Sequence, residues 1–329
     1  MKKNRIIHLK SPGTLADFIS VDERNKIGSL KISGVIGRKD FDEVLDKMCD
    51  VWVDYADEDD DEGIPNYDYA SNLKLLDLSD AVYTDGVALP YFGYRAQLEI
   101  FALPKGIETT VDEEDFETGL WGSEKLRSLY LPEGLKTVGG FGKCPNLTSL
   151  VLPEGLEEIL SFAFAECKSI TSIRIPKTVL LLDGSSFAGC NISKYEIDSD
   201  NPFFTVLDGV VYNKDMTTLV AFPSNYPHKN FRIPISVNKI GKNAFMSSNI
   251  ENVELHSELV EIGDSAFQGS KIRSVAVPDS VKKMNRTVFR FCNYLETVTV
   301  PYRFHKCLRH IPHLKNWKLL KTNECKFDV

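Results

Sequence analysis

The sequence predicts an α/β repeat fold: a solenoid of short coils whose strands stack into a narrow parallel sheet, preceded by an N-terminal cap. Three observations predict it. An apolar pattern recurs every 21 to 23 residues; each good copy carries a Leu-x-Leu-like step, usually followed by Pro; and 43% of the 329 residues are hydrophobic against 26% charged, enough to fill a continuous core. Such a period is too short for a domain and too regular for a loop. Each unit is therefore one coil that buries its apolar residues only against a neighbouring coil.

Residues 1–70 are expected to cap the first coil. Phe41, Val44, Leu45 and Met48 stand at helical spacing with Asp40 as N-cap, and residues 29–36 read as a short strand. Asp54 and residues 57–62 then place seven carboxylates within nine positions. Asp57, Asp59 and Asp61 alternate as calcium ligands do, but Glu62 stands where a calcium loop needs glycine, so a solvated loop is the favoured reading.

Residues 71–301 are expected to form eight or nine coils. Leu126, Leu129, Leu131, Pro132, Leu135, Val138, Phe141 and Cys144 set the pattern, and the copies ending at Cys167 and Cys190 repeat it at the same eight positions. The Leu-x-Leu step has the period of two that a strand needs, and Pro, which cannot donate to a ladder, ends it. A second aliphatic pair, such as Leu156 and Ile159, faces inward from the return stretch. Pairs such as Ala244-Phe245 read as a tight helical turn that inserts an aromatic ring, so Phe141, Phe164, Phe187, Phe245, Phe267 and Phe289 are expected to stack as an interior ladder.

At about residues 198–229 the repeat gains about 14 residues. Asp208-Gly209 between two β-branched runs predicts a β-hairpin or small meander protruding from one coil. Residues 302–329, with seven Lys or Arg against two acids, are expected to cap the last coil.

The motifs Leu-Pro-Glu-Gly-Leu at 131–135 and 152–156, Ile240-Gly241-Lys242-Asn243-Ala244-Phe245 and Ile262-Gly263-Asp264-Ser265-Ala266-Phe267 resemble those of the BspA-like leucine-rich repeat family over about three quarters of the chain. The N-terminal stretch is similar to that family's leading region, at Gly13-Thr14-Leu15, residues 30–34 and residues 75–81. The resemblance implies a right-handed leucine-rich-repeat solenoid, no enzymatic activity, and a role in protein binding or surface attachment. It also implies an extracellular or cell-surface location and, as partner, a protein such as one of the host extracellular matrix. No signal peptide or apolar run long enough to span a membrane is read, so the chain is expected either to remain cytoplasmic or to have its export segment outside this sequence.

The bland reading of the chemistry-bearing residues prevails. Cys144, Cys167, Cys190 and Cys292 share a repeat position that Ser248 and Ser270 fill elsewhere, which suits reduced structural thiols better than metal ligands. Coils stacked about 4.8 Å apart hold equivalent Cβ atoms slightly beyond disulfide reach. His305, Cys307, His310 and His313 match no common zinc spacing, and Gly139 to Lys143 lack the first glycine of a phosphate loop. No catalytic, cofactor or metal site is read. A net charge of -8 argues against nucleic acid as a partner.

Function is therefore sought on the solenoid face. The residues flanking the second apolar position of each coil should point outward, and Tyr130, Arg174, Lys194, Glu196, Arg232, Asn252 and Glu254 are the candidate partner-binding residues. The reading is a non-enzymatic, monomeric protein-interaction or adhesion module. The alternative is a secreted carbohydrate binder using the insert's aromatics, Phe203, Phe204, Tyr212, Phe222 and Tyr226.

Overall fold

The computed structural model describes residues 3–49, 72–90, 97–111, 120–311, 314 and 316–320, which leaves the acidic stretch at 54–62 and His313 outside the described residues. The chain divides into two compact units, Met1–Leu156 and Glu157–Val329, each a run of stacked coils.

In the first unit six strands form one parallel sheet: Lys3–Leu9, Ile27–Ile36, Leu75–Tyr83, Ile100–Ala102, Ser128–Tyr130 and Ser149–Val151. The first two lie within the region expected to act as a cap, so the stack of strands begins at Lys3 and the described residues make about 12 turns where eight or nine were expected. The spacing between these early strands is irregular, and a search for a fixed period passes over them. Each coil's turn has a local cause. In Pro132-Glu133-Gly134-Leu135 the Leu135 amide donates to the Pro132 carbonyl at 3.4 Å while Gly134 takes φ +93°, the third position of a type II turn.

The expected helix forms as the continuous segments Arg38–Asp40, Phe41–Leu45 and Asp46–Cys49, and it buries Phe41, Val44, Leu45 and Met48. Its N-cap is Gly37, not Asp40. The Asp40 carboxylate instead accepts the Gly37 amide at 2.9 Å and, across the chain, those of Gly13 at 2.7 Å and Leu15 at 2.8 Å. One carboxylate thus satisfies a helix end and fastens the first loop to it.

In the second unit the front strands are Ile173–Ile175 paired with Tyr195–Ile197, and a five-stranded parallel set from Asn230–Arg232 through Asn252–Glu254, Ser274–Ala276 and Thr297–Pro301 to Asn316–Leu320. The sheet therefore continues into residues 302–329, where only a cap was expected. Two-residue return strands, among them Lys239–Ile240, Glu261–Ile262 and Lys283–Met284, form the opposite side. The aromatic ladder lies between the two. Phe164 stacks on Phe187 at 5.4 Å, Phe245 on Phe267 at 4.8 Å and Phe267 on Phe289 at 5.7 Å, all essentially inaccessible to solvent. Near-parallel rings at these distances contribute about 0.5–1.5 kcal/mol per pair beyond the area they bury.

The insert corrects one expectation. Phe204–Leu207 and Val210–Asn213 form the predicted hairpin, with Asp208 at φ +52° and Gly209 at φ +78° as a type I′ turn. It does not protrude. Val210–Asn213 pairs with Thr218–Ala221, and that strand pairs in parallel with Lys239–Ile240, so the hairpin is a continuation of the return sheet. Thr218–Ala221 takes the place of a return strand and Phe222 that of the repeat aromatic, 4.4 Å from Phe245. Ser224 fills the Cys/Ser role, its hydroxyl reaching the Phe187 carbonyl at 3.5 Å. What reads as an interruption is a complete coil with a hairpin spliced between its two strands. Buried Asn201 fastens the splice: its amide donates to the Pro176 and Val179 carbonyls at 3.1 and 2.9 Å, and its oxygen accepts the Phe203 and Phe204 amides, both at 2.8 Å.

Candidate functional site

Because side chains alternate along a strand, the front strands turn alternate residues outward: the two flanks in Ser128–Tyr130, Asn230–Arg232 and Asn252–Glu254, but the central Arg174 and Glu196 in Ile173–Ile175 and Tyr195–Ile197. In the first unit this places Ser128 beside Ser149 and Tyr130 beside Val151, with Tyr130 53% and Val151 77% exposed. The other six candidates lie in the second unit. Arg174 is in register with Glu196, and Asn230, Phe231 and Arg232 with Asn252, Val253 and Glu254. All six candidates are exposed except Asn252, which is half-buried.

The charges on this face are spent on one another. Arg174 reaches Asp198 at 2.6 Å, Lys194 reaches Glu196 at 2.9 Å, and Arg232 reaches Glu254 at 3.0 Å. Beside them runs a ladder from Lys229 to Glu251 at 3.1 Å, to Arg273 at 3.2 Å, and on to Glu296 at 3.1 Å. Hydrogen bonding from Lys229 holds the Glu251 carboxyl below the usual range. The neutral row is linked too: Asn252 donates to Asn230 at 2.8 Å and Ser274 to Asn252 at 2.7 Å. The face is close to neutral.

The insert does not offer the aromatic platform that a carbohydrate binder would need. Phe204, Tyr212, Phe222 and Tyr226 are buried in the core and Phe203 alone of the five is exposed, because the splice turns its aromatics toward the ladder. Burial pushes the Tyr212 hydroxyl well above the usual phenol range.

The thiols are donors to the coil before them. Cys190 reaches the Phe164 carbonyl at 3.1 Å, Cys292 that of Phe267 at 2.9 Å, and Cys144 that of Leu120 at 3.3 Å. Burial pushes Cys190 up to about 12 and Cys292 and Cys307 up to about 11, which suppresses the thiolate needed for nucleophilic or ligand chemistry. Cys307 donates to the Asn285 carbonyl at 3.4 Å, and the His305 ring stacks on Tyr302 at 5.2 Å, so these two do not converge. In the glycine-rich stretch Gly139 exchanges hydrogen bonds with buried Thr110, both at 2.9 Å, and Phe141 is buried, as a coil turn requires. Among the described residues no group of three His, Cys, Asp or Glu side chains is placed to hold a metal ion, and no helix is long and apolar enough to cross a membrane.

A feature that reasoning from the strand flanks missed lies on the return side. Between the coils around residues 240, 262 and 284 and the 3-10 segment Tyr302–His310 runs a groove of about 730 Å³, lined by five lysines and two arginines against Glu261 and Asp264. The signal was present in the sequence: Lys239, Glu261 and Lys283 share one repeat position and Lys242, Asp264 and Arg286 another.

The family model described as "BspA type Leucine rich repeat region" matches residues 90–214 and 216–317, in six copies. No curated protein matches the chain. Among solved structures, a leucine-rich repeat protein from Eubacterium ventriosum is 18% identical, with a TM-score of 0.55 over 72% of this chain and 79% of that one. The pneumococcal vaccine antigen PcpA is likewise 18% identical, with a TM-score of 0.51 over 73% of this chain and 74% of that one. At this identity the likenesses show a shared fold, and no enzymatic family is indicated.

Proposed function

Because the chain belongs to the BspA-type leucine-rich repeat family, we propose that it is a non-enzymatic module of a cell-surface protein that engages a protein partner along the outward rows of its front strands. The observation that carries this reading is the geometry of those rows. They are exposed, held in register by the parallel ladder, and so nearly neutralised that a partner meets a surface with little net charge, which suits a broad interface of mixed polarity. Tyr130 is the exposed aromatic among the candidates, and rings of this kind anchor protein interfaces.

The test is capture of partners from extracellular-matrix preparations, followed by affinity measurements with Arg174→Glu/Arg232→Glu and, separately, Tyr130→Ala. Weakened binding in either variant, with thermal unfolding unchanged, supports the reading. A partner whose binding ignores both changes moves the site off this face, and turnover of any peptide or glycan overturns the non-enzymatic assignment.

A further inference from the structure

The basic groove on the return side is independent of the front face. Its cations differ in how they are held. Lys239 and Lys283 share Glu261, at 3.0 and 3.8 Å, and Arg303 is fixed by Asp279 at 2.8 Å and by the Val281 carbonyl at 2.6 Å. Lys242, Lys282, Arg286 and Lys306 are exposed and make no ion pair with a described residue. Four uncommitted cations thus gather in one concave surface of a protein whose net charge is -8. Such a concentration raises the local potential for anions, and the partly apolar floor under Met284 and Phe304 strengthens it.

The arrangement points to a polymer. Lys242 and Arg286 occupy the same place in coils two apart, a separation of roughly 10 Å at the spacing of stacked strands, with Lys282 and Lys306 on neighbouring elements. The cations are therefore spread along the groove, and an anion repeating at the distance of a disaccharide unit matches them. A single-stranded nucleic acid would need exposed rings on which its bases stack, and the lining aromatic, Phe304, is buried. Lysine ammonium groups act as point charges suited to sulfate, and the exposed Asn285 amide offers hydrogen bonds to sugar hydroxyls. We infer that this groove binds a linear sulfated polysaccharide, recognised through its charge spacing and not through ring stacking.

The probe is a heparin hexasaccharide, titrated calorimetrically at low and at physiological salt, with de-sulfated heparin and polyuridylate as comparison ligands. Binding should weaken as salt rises and vanish on de-sulfation. The variant Lys282→Glu/Arg286→Glu/Lys306→Glu should lose at least about tenfold in affinity. Because all three residues are exposed, its thermal unfolding should match that of the parent; should it fail to fold, Lys242→Gln alone should still lower the affinity. Arg174→Glu/Arg232→Glu should bind heparin as the parent does, which keeps this outcome separate from that of the front face. Unchanged affinity in the groove variants overturns the site. Polyuridylate binding as tight as heparin at equal salt overturns the glycan as ligand.

Discussion

The two sides of the second unit use the same residue types to opposite ends. On the front, each cation named above has a carboxylate within reach, and the ladder from Lys229 to Glu296 runs through four consecutive coils. On the return side the corresponding carboxylates are too few, and Lys242, Lys282, Arg286 and Lys306 are left without partners among the described residues. The imbalance follows the chain's larger partition: residues 1–156 carry 17 Lys or Arg against 29 Asp or Glu, whereas residues 157–329 carry 22 against 18. A charge that alternates between stacked coils is a stabilising device for the solenoid itself; a charge that does not is available to a ligand. The presence of charge thus says less about binding than whether the next coil neutralises it.

Removing what both sides share should have the largest effect. Phe245 stacks between Phe222 and Phe267 beneath both sheets, and Phe245→Ala should cost about 3–5 kcal/mol in denaturant unfolding. An unchanged midpoint would mean that the ladder does not carry the core. Asn201→Ala removes the side-chain acceptor of the Phe203 and Phe204 amides and the donor to the Val179 carbonyl, while the Pro176 carbonyl keeps the Val179 amide, and should cost about 1–3 kcal/mol, concentrated as faster amide exchange in the spliced hairpin. Uniform exchange throughout the unit would show that the hairpin does not depend on this anchor.

Asp183 sharpens the comparison on the return side, where it is a carboxylate the fold itself requires. Burial opposes its ionisation, but hydrogen bonds from Ser185 at 2.5 Å and from Asn243 at 3.0 Å prevail and hold it below the usual carboxylate range. A depressed native pKa means stability that is fully present above about pH 4 and lost as pH falls through the native value. Asp183→Asn should therefore unfold at lower temperature than the parent at neutral pH, with the gap closing in acid. A gap independent of pH would assign the loss to packing alone.

The smallest effects should divide the two sides most clearly. Glu251→Gln severs the front ladder at its centre and should lower the melting temperature slightly at low salt and not at high salt. Lys282→Gln removes a cation with no partner and should leave stability unchanged or slightly raised. Equal losses in the two variants would erase the distinction between a charge the fold consumes and one it leaves open.

The chain by itself determined the coil, the inward residues, the type I′ turn at Asp208-Gly209 and the outward rows of the front strands. Each follows from local rules, alternation along a strand or the conformational demands of a turn, and six good copies of the repeat state them again. Tertiary structure decided the rest. Phe222 stands 23 residues before Phe245, within the repeat period, but it became a ladder member only because the splice carried it to the place of a repeat aromatic. Arg174 and Arg232 were legible as exposed but not as neutralised, since that depends on which side chains the stacking brings within about 4 Å. The groove needed Arg303 and Lys306, from the 3-10 segment Tyr302–His310, folded back against lysines of the neighbouring coils. Local pattern fixes the direction in which a side chain points; only the stacked register fixes what it meets.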